Sequence, residues 1–419
     1  MALRRAVVTG LGVIAPNGFG VEDFWAATAG GRSGIGRITA FDTTDYSCRI
    51  AGEATGYVPD DHFDSKQLKH IDRFAQLGVV AGRMALADSG LDVAACDPHR
   101  LGCLMGSGLG GALFHEEQMI VYYASGARRV NPYAVPRIAP NAVSAHIAIE
   151  HGLKGPNLVV STACASGNHA LGETLRKIQH GEAEVIFTGG VEAPLTPATF
   201  AAYCALRVLS TRNDAPERAS RPFDKDRDGF VMAEGAAVLI VEELEHALRR
   251  GARIYAELVG YGLTSGAFHM VMPDPSGDDA AAAMRLAIAD AGASPADVDY
   301  INAHGTSTQA NDLAESRAIR TIFGERASTV PVSSTKSMTG HTIGAAGAIE
   351  AAVCCLALDR QVLPPTINYE TPDPECELDC IPNTARPAAA ELALSNSFGF
   401  GSVNACTAFR RYPREGRDS

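Results

Sequence analysis

Three features that would each assign a protein to a common functional class are missing from this 419-residue chain. Basic residues are scarce: 36 Lys and Arg stand against 48 Asp and Glu, a formal net charge of -12, whereas a nucleic-acid binder needs excess positive charge to neutralise phosphates. No apolar run approaches the roughly 20 residues that span a bilayer. The ten cysteines include no Cys-x-x-Cys pair and no zinc-type ligand spacing. The chain is therefore predicted to bind no nucleic acid, to cross no membrane and to hold no metal.

A secretory segment is also missing near the first residue. The opening Met-Ala-Leu-Arg-Arg leads straight into the strand-like run 6–9 without an apolar signal region. Cysteines without a pairing pattern are typical of proteins in a reducing compartment. These two observations predict a cytoplasmic protein with reduced thiols.

Neither of two glycine-rich turns is a complete nucleotide-binding motif. Gly10 and Gly12 follow a strand as in a dinucleotide fingerprint, but Pro-Asn-Gly at 16–18 breaks the helix that would hold a pyrophosphate. The turn Gly-Ser-Gly-Leu-Gly-Gly at 106–111 has no P-loop lysine. Its glycines indicate close backbone packing near a pocket. No bound cofactor is expected.

Apolar strand-like runs alternate with Ala-rich helical stretches along the whole chain, which predicts an α/β protein with buried sheets. The pattern restarts near residue 255, where Val-Gly-Tyr-Gly at 259–262 reads like Thr-Gly-Leu-Gly at 9–12. We expect two similar halves, 1–254 and 255–412, followed by a flexible tail at 413–419.

Cys164 lies in a segment whose sequence pattern is repeated in the second half. Residues 159–169 share Ser-Thr-x-x-x-Ser/Thr-Gly, without a gap, with residues 332–341. In each copy an apolar strand runs into a small-residue turn and a helix, so two pseudo-symmetric corners can face one site. Backbone N–H groups and a positive helix end favour a thiolate, which predicts a lowered pKa for Cys164. Such a turn also aims the sulfur out of the sheet; a small buried core residue is the alternative.

Two histidines occupy matching contexts at strand ends. His304 lies in Asn-Ala-His-Gly-Thr-Ser-Thr at 302–308, and His341 ends the second copy. Both are expected to look into a cleft, although each alone could be structural. Lys336 lies in an otherwise uncharged stretch and would need a carboxylate partner if buried, for which Glu315 is the candidate.

The loop Asn-Ser-Phe-Gly-Phe-Gly-Ser at 396–402 places Phe398 and Phe400 beside glycines. Glycine flanks allow a bulky ring to swing, and free backbone N–H groups can point at an oxyanion. A turn with an aromatic plug is the alternative.

Taken together, these segments resemble β-ketoacyl-[acyl carrier protein] synthases of the II type, condensing enzymes of the thiolase superfamily that include type II polyketide ketosynthases. The resemblance covers nearly the whole chain in family order. It rests on segments 162–164, 209–214, 220–224, 226–230, 302–308, 332–341, 364–368 and 396–401. It implies a thiolase-like, five-layered α-β-α-β-α fold from two duplicated halves, and an obligate dimer.

The resemblance also implies the chemistry. Cys164, His304 and His341 would form a catalytic triad, and Lys336 paired with Glu315 would tune the histidines. The thiol would take an acyl group from the phosphopantetheine of an acyl carrier protein. Malonyl-carrier protein would then lose CO2, and its enolate carbon would attack the thioester to give a 3-oxoacyl chain two carbons longer.

Further roles follow from the same resemblance. The backbone N–H groups of Cys164 and Phe400 would form an oxyanion hole, and the Phe400 ring would be a gate for the acyl chain. The substrate channels would be lined by Leu109 (at the pocket bottom), Tyr203, Phe230, Thr306, Thr308 and Phe398. Carrier-protein docking would use Lys66, Lys69, His70, Arg128, Arg129 and Arg207. An acidic carrier protein needs only such a local cationic face, and ordinary surface charge is the alternative for each residue.

Three positions depart from the family's usual pattern. Ser402 replaces a second glycine in the gating loop, Gly266 replaces an aspartate and Val271 replaces a threonine. All three belong to two loops around the entrance, so they leave substrate choice and gating open and the catalytic residues untouched.

The sequence thus predicts an elongating ketosynthase and leaves its pathway open. A fatty-acid synthase component would work as a homodimer. A ketosynthase of a type II polyketide or polyene pathway would pair with a chain-length-factor homologue that lacks the cysteine, and the loop departures favour this version. A biosynthetic thiolase would use a second cysteine as base instead of a histidine pair, and a non-catalytic chain-length subunit would lack Cys164.

Overall fold

The computed structural model describes residues 3–413. All but the first residue of the predicted tail at 413–419 lie outside the described residues. Within the described part of the chain, none of the helices combines the length and the apolar composition that a bilayer crossing requires.

Strands and helices alternate along both halves, as the periodicity predicts. The strands are β1 (Ala6–Ala15), β2 (Gly18–Phe19), β3 (Ile35–Arg37), β4 (Ile50–Gly52), β5 (Leu101–Gly106), β6 (Asn157–Val160), β7 (Val185–Glu192), β8 (Gly235–Glu243), β9 (Ala256–Ser265), β10 (Tyr300–Asn302), β11 (Val332–Ser333), β12 (Val362–Leu363), β13 (Arg386–Pro387), β14 (Leu392–Gly399) and β15 (Val403–Arg411). The helices are α1 (Val21–Ala29), α2 (Ser65–Leu68), α3 (Arg73–Ser89), α4 (Ala112–Ser125), α5 (Ala134–Ile138), α6 (Ala142–His151), α7 (Ser166–Gln179), α8 (Pro197–Leu206), α9 (Leu244–Arg249), α10 (Asp278–Asp290), α11 (Gln309–Phe323), α12 (Lys336–Thr339) and α13 (Ala346–Arg360).

Each half builds the same arrangement of five main strands. The order across the sheet is β6-β5-β7-β8-β1 in the first half and β11-β10-β14-β15-β9 in the second. Counted along the chain within its half, each order reads third, second, fourth, fifth, first. The first three strands of each order are parallel, and the last two join antiparallel. The predicted duplicated α/β fold is therefore confirmed.

Three of the apolar clusters fill the space between the five layers. The innermost core holds α7 and α13, which pack against each other between the two sheets. A second core lies between the first sheet and helices α3 and α6, and a third lies between the second sheet and helices α10 and α11. The five-stranded sheets of the two halves are joined into one continuous main sheet, because three residues of β1 pair with β9.

The glycine pair repeated in β1 and β9 permits close helix packing. A Cβ at Gly12 would lie 2.0 Å from the Ala81 carbonyl oxygen of α3, and one at Gly262 would lie 1.9 Å from the Ala283 carbonyl oxygen of α10. Both distances are far below van der Waals contact. These glycines therefore let each outer helix rest directly on its strand.

The sequence repeat between residues 159–169 and 332–341 aligns equivalent strands, but it does not align equivalent helices. After β6, two residues precede a 3-10 turn (Ala163–Ala165) that leads into α7. After β11, nine residues precede the matching turn (Ile343–Ala345) that leads into α13. The first residues of the two turns share a left-handed backbone, with φ 49° at Ala163 and 46° at Ile343.

Cys164 is therefore the structural counterpart of Gly344, and the second half contains seven extra residues. Those extra residues include the short helix α12 and His341. The ungapped sequence match aligned α12 with α7, because small and hydroxyl residues recur in both segments. The insertion brings Lys336 and His341 up to the cysteine turn of the other half.

Candidate active site

Cys164 lies in the turn between β6 and α7, at the centre of the molecule. Its side chain is 6% exposed and lines a chamber of about 120 Å³. Gly106 on the neighbouring strand leaves room for the turn, since a Cβ there would lie 2.4 Å from the carbonyl carbon of Ser166. The strand-to-helix geometry expected for a nucleophile is thus present, and the sulfur faces a cavity.

The second half places two imidazoles opposite the sulfur. His341 Nε2 lies 3.0 Å from Cys164 Sγ. The rings of His304 and His341 are 5.3 Å apart and nearly perpendicular. Ring nitrogens of both histidines and the sulfur all lie within 4.8 Å of one another. The structure therefore brings the three predicted residues into one reaction space.

Lys336 is buried beside these histidines, but its predicted partner is wrong. The carboxylate that pairs with Lys336 is Glu350 on α13, with side chains only 2% exposed on each side. Lys336 Nζ also lies 3.4 Å from His304 Nδ1. Because an ammonium group can only donate, this contact makes Nδ1 the acceptor and leaves the His304 proton on Nε2.

Glu315 has a different place in the site. Its carboxylate accepts hydrogen bonds from the backbone N–H groups of His304 (2.9 Å) and Gly305 (2.7 Å), and from the Asn396 side-chain amide (3.1 Å). It therefore fixes the backbone that carries His304, and its binding capacity is used by N–H donors rather than by Lys336.

Burial controls the protonation of the site. It lowers the pKa of His304 and His341 well below 6.5, and the Lys336 charge lowers both further. Burial also raises the pKa of the Cys164 thiol to about 12, against the charge of Lys336 and the backbone N–H groups of Phe400 and Cys164. The pKa of this thiol is therefore raised and not lowered as predicted, because desolvation outweighs the Lys336 charge and the two backbone N–H groups. These shifts favour a neutral thiol beside a neutral imidazole at neutral pH.

Most of the predicted channel residues line the same chamber. They are Tyr203, Phe230, Thr306, Thr308 and Phe398, and the predicted gate, Phe400, lines it as well. The Phe400 ring stacks on Tyr203, with centroids 6.4 Å apart, and the Phe230 ring stands edge-on to His341 at 5.2 Å. Thr306 and Thr308 share a hydroxyl–hydroxyl hydrogen bond of 2.9 Å. The chamber lining thus combines aromatic rings with hydroxyl groups.

Leu109 does not line this chamber. Ile343 does, and its side chain lies 3.4 Å from the position a Cβ would take on Gly108. Ile343 therefore separates the chamber from the turn that carries Leu109. Sequence reasoning missed Ile343 because its role depends on the seven-residue offset between the halves.

Two buried carboxylates were also missed. Glu192, at the end of β7, accepts hydrogen bonds from the backbone N–H groups of Gly108 (2.6 Å), Leu109 (3.0 Å) and Gly344 (3.0 Å). Glu350 was visible in the sequence as the lone charge inside the apolar helix 346–358. A lone buried charge requires a partner, and this signal would have connected it with Lys336.

The predicted docking residues lie at the surface. Lys66, Lys69, Arg128, Arg129 and Arg207 are exposed, and His70 is half-buried. The His70 ring packs against Tyr133 at 4.1 Å, which brings the α2 region to the segment just after Arg128 and Arg129. Arg207 ends α8, the helix that carries the chamber residue Tyr203.

Comparison with known proteins assigns the family. The β-ketoacyl synthase N-terminal domain matches residues 3–247, and the β-ketoacyl synthase C-terminal domain matches residues 255–370. The chain is 47% identical over 409 residues to "3-oxoacyl-[acyl-carrier-protein] synthase 2" of Synechocystis sp., covering 98% of both chains. It is 46% identical over 404 residues to the protein of that name from Coxiella burnetii, covering 96% of this chain and 98% of that one.

Solved structures agree with the sequence matches. The ishigamide ketosynthase/chain length factor superposes with a TM-score of 0.92 at 37% identity, covering 98% of this chain and 100% of that one. A type II PKS ketosynthase in complex with its acyl-carrier protein superposes with a TM-score of 0.90 at 35% identity and the same coverage. The chain thus belongs to the β-ketoacyl synthase family. Within that family it is a ketosynthase, a condensing enzyme.

Proposed function

We propose that this protein elongates acyl chains held on an acyl carrier protein, as an acyltransferase that condenses them with malonyl-carrier protein. The observation that carries the proposal is the 3.0 Å contact between Cys164 Sγ and His341 Nε2, within a chamber that His304 also lines. One nucleophile and two imidazoles are the groups that acyl transfer followed by enolate formation requires.

In the first step Cys164 attacks the thioester of an acyl-pantetheine. The sulfur gives its proton to His341 Nε2 as the new S–C bond forms. The bond from the acyl carbon to the pantetheine sulfur then breaks, and His341 passes this proton to the leaving sulfur, which departs as a thiol. The backbone N–H groups that face the sulfur, from Cys164 and Phe400, would hold the developing oxyanion. Each such donor is typically worth about 3–4 kcal/mol.

In the second step malonyl-carrier protein enters, and loss of CO2 leaves an enolate. The His304 Nε2–H, fixed by the contact of Lys336 with Nδ1, can donate to the enolate oxygen. His341 supplies the second donor when its Nε2 carries a proton. The enolate carbon then attacks the Cys164 thioester, releases the sulfur and gives a 3-oxoacyl-carrier protein.

No metal or bound cofactor enters this scheme, since the substrates arrive on the phosphopantetheine of the carrier protein. Cys164, His304 and His341 are metal-ligand types at close range. However, the positive charge of Lys336, which lowers the pKa of both histidines, opposes a cation among them. We therefore propose that the three groups act on the thioester directly.

A carrier protein would dock on the exposed basic residues described above, among which Arg207 ends the helix that carries the chamber residue Tyr203. The net charge of -12 requires such a local cationic face to attract an acidic partner. The ten cysteines are free thiols, which supports a reducing, cytoplasmic location.

A second subunit is also part of the proposal. Strand β6 is an edge strand of the main sheet. Helix α4, which follows the neighbouring strand β5 along the chain, exposes Met119, Ile120, Tyr122 and Tyr123. An open sheet edge and a group of exposed apolar side chains are each typical of an interface. A homodimer would fit a fatty-acid role. A heterodimer would fit a polyketide or polyene role, and the neighbour printed as a ketosynthase/chain length factor supports this alternative.

The decisive experiment incubates the purified enzyme with a panel of acyl-carrier proteins, then with malonyl-carrier protein, and follows intact masses. We expect a Cys164 acyl adduct, followed by CO2 loss and a product two carbons longer. Condensation of acetyl-CoA without CO2 release would instead identify a thiolase. Gel filtration of the chain, alone and co-expressed with the product of the neighbouring gene, separates the homodimer from the heterodimer.

A further inference from the structure

Two loops meet at the entrance of the chamber. The gating loop, residues 399–402, carries Phe400. The entrance loop, residues 266–274, follows β9 and exposes the apolar side chains of Phe268, Met270 and Met272. Two backbone hydrogen bonds join the loops, from Gly401 N–H to the Met270 carbonyl and from Gly266 N–H to the Ser402 carbonyl, each 2.8 Å.

The Ser402 hydroxyl adds three hydrogen bonds to this contact. It accepts from the backbone N–H groups of Phe268 (3.3 Å) and His269 (3.2 Å). It donates to the carbonyl of His269 at 3.0 Å. One small side chain thus uses its whole hydrogen-bonding capacity on a single turn of the entrance loop.

Ser402 makes these contacts from a backbone conformation that favours glycine. Its φ is 58°, in the left-handed region that L-residues rarely adopt. A strained residue at a mobile element persists only where the surrounding contacts maintain it. The hydroxyl contacts are those that a glycine could not make, and they offset the strain.

A second departure from the usual family pattern touches the first. Gly266, where an aspartate is usual, donates its N–H to the Ser402 carbonyl. A Cβ on Gly266 would lie 2.0 Å from Asp279 Oδ2, and that carboxylate accepts from the Asn404 amide at 3.0 Å. The glycine therefore makes room for a carboxylate that belongs to helix α10 rather than to the entrance loop.

We propose that Ser402 is a positioning residue whose hydroxyl holds the gating loop on the entrance loop and so stabilises the closed position of Phe400. The proposal rests on the ketosynthase function proposed above. Phe400 has two tasks that conflict: its N–H faces the sulfur when the gate is closed, and its ring must leave before a long acyl chain enters. A tie that strengthens the closed state makes long-chain loading slower, and leaves reactions that need no gate movement unchanged.

The test compares acylation of Cys164 by octanoyl-pantetheine and by acetyl-pantetheine. In both donors the pantetheine occupies the entrance, so only the longer acyl group must pass the gate, and the acetyl group fits the closed chamber. The variants are Ser402→Gly and Ser402→Ala, which lose the hydroxyl with and without relief of the backbone strain. Ser276→Ala is the control, because that hydroxyl caps Asp278 (3.1 Å) on the same side of the entrance.

We expect Ser402→Ala, which keeps the backbone strain, to accept the octanoyl group roughly tenfold faster than the unaltered enzyme, the effect of losing one well-made hydrogen bond. Ser402→Gly also relieves the strain that the hydroxyl contacts offset, so its acceleration should be smaller. Acetylation should change less than about twofold, and Ser276→Ala should resemble the unaltered enzyme in both reactions. The proposal would be overturned if Ser402→Ala and the unaltered enzyme were octanoylated at the same rate. It would also be overturned if Ser402→Ala accelerated octanoylation and acetylation equally.

Hydrogen exchange provides a readout that needs no turnover. The backbone amides of Phe268 and His269 should exchange faster in both Ser402 variants, and unchanged exchange would also overturn the tie. If no form of the enzyme accepts either acyl group, the proposed function fails, and the exchange result still decides the role of Ser402.

Discussion

Removing the charge of Lys336 should shift the activity of the enzyme along the pH axis. Lys336 lowers the pKa of both His304 and His341, as the largest cause after burial. Lys336→Met removes this second cause, so the pKa of both histidines should rise. The imidazoles would then gain protons at a higher pH than in the unaltered enzyme, and the acid limb of the pH–rate profile should move upward.

The same variant should lower the rate across the profile. Without the Lys336 contact at 3.4 Å, His304 no longer has its proton fixed on Nε2, the atom proposed to face the enolate. Loss of one preorganised donor typically lowers kcat about 10²- to 10³-fold. The assay is condensation with malonyl-carrier protein, measured by product mass from about pH 5 to about pH 9 so that both limbs are included.

The free energy of unfolding tests whether Lys336 and Glu350 compensate each other as a buried ion pair. Glu350→Gln leaves a buried ammonium without its counter-charge, which typically costs about 3–5 kcal/mol. The double variant Lys336→Met/Glu350→Gln leaves no buried charge and should recover most of that loss. Lys177→Met is the matched control: its ion pair with Glu182 is at the surface, where such pairs contribute about 0–1 kcal/mol.

Two results would refute this reasoning. If Lys336→Met keeps its acid limb where the unaltered enzyme has it, the field of Lys336 does not set the protonation of the histidines. If Glu350→Gln melts no lower than the double variant, the pair is not a compensated buried charge. Chemical denaturation and thermal melting at one pH measure the second point directly.

Three further substitutions test the site and the fold. Cys164→Ala should accept no acyl label in intact-mass analysis, and a labelled variant would remove Cys164 from the mechanism. Gly399→Ala would place a Cβ 3.2 Å from the Cys164 nitrogen, so single-turnover acylation should fall about 10²-fold with the oxyanion donors displaced; an unchanged rate would contradict that assignment. Gly12→Ala, with its Cβ 2.0 Å from the Ala81 oxygen, should lower stability by about 1–3 kcal/mol. Gly36→Ala, which meets nothing within 4 Å, should melt like the unaltered protein.

The features that sequence alone could predict are those that a short run of consecutive residues determines. The strand-to-turn context of Cys164 and the strand-end contexts of His304 and His341 indicated a shared cleft, and all three line one chamber. Each segment specifies its own local structure, because a buried strand followed by small residues ends at the edge of a sheet. The repeat of these segments indicated the duplication.

The features that sequence could not predict depend on distances between segments. Glu315 and Glu350 lie on different helices, and only the packing of α13 under the site selects Glu350 as the partner of Lys336. The pKa of Cys164 was predicted from the helix end alone, whereas the depth of burial dominates it. Burial is a property of the assembled chamber and not of the turn.

The duplication also explains why the two corners have different roles. By strand register, Glu192 in β7 and Ser397 in β14 are equivalent, since each lies two residues beyond the residue paired with the last residue of the neighbouring parallel strand. The Glu192 carboxylate occupies the N–H group of Gly344 in one corner. The shorter Ser397 accepts instead from the Asn168 amide at 3.0 Å. The N–H of Cys164, the counterpart of Gly344, is thereby left for the oxyanion role proposed above, whereas the N–H of Gly344 is bound by the protein's own carboxylate.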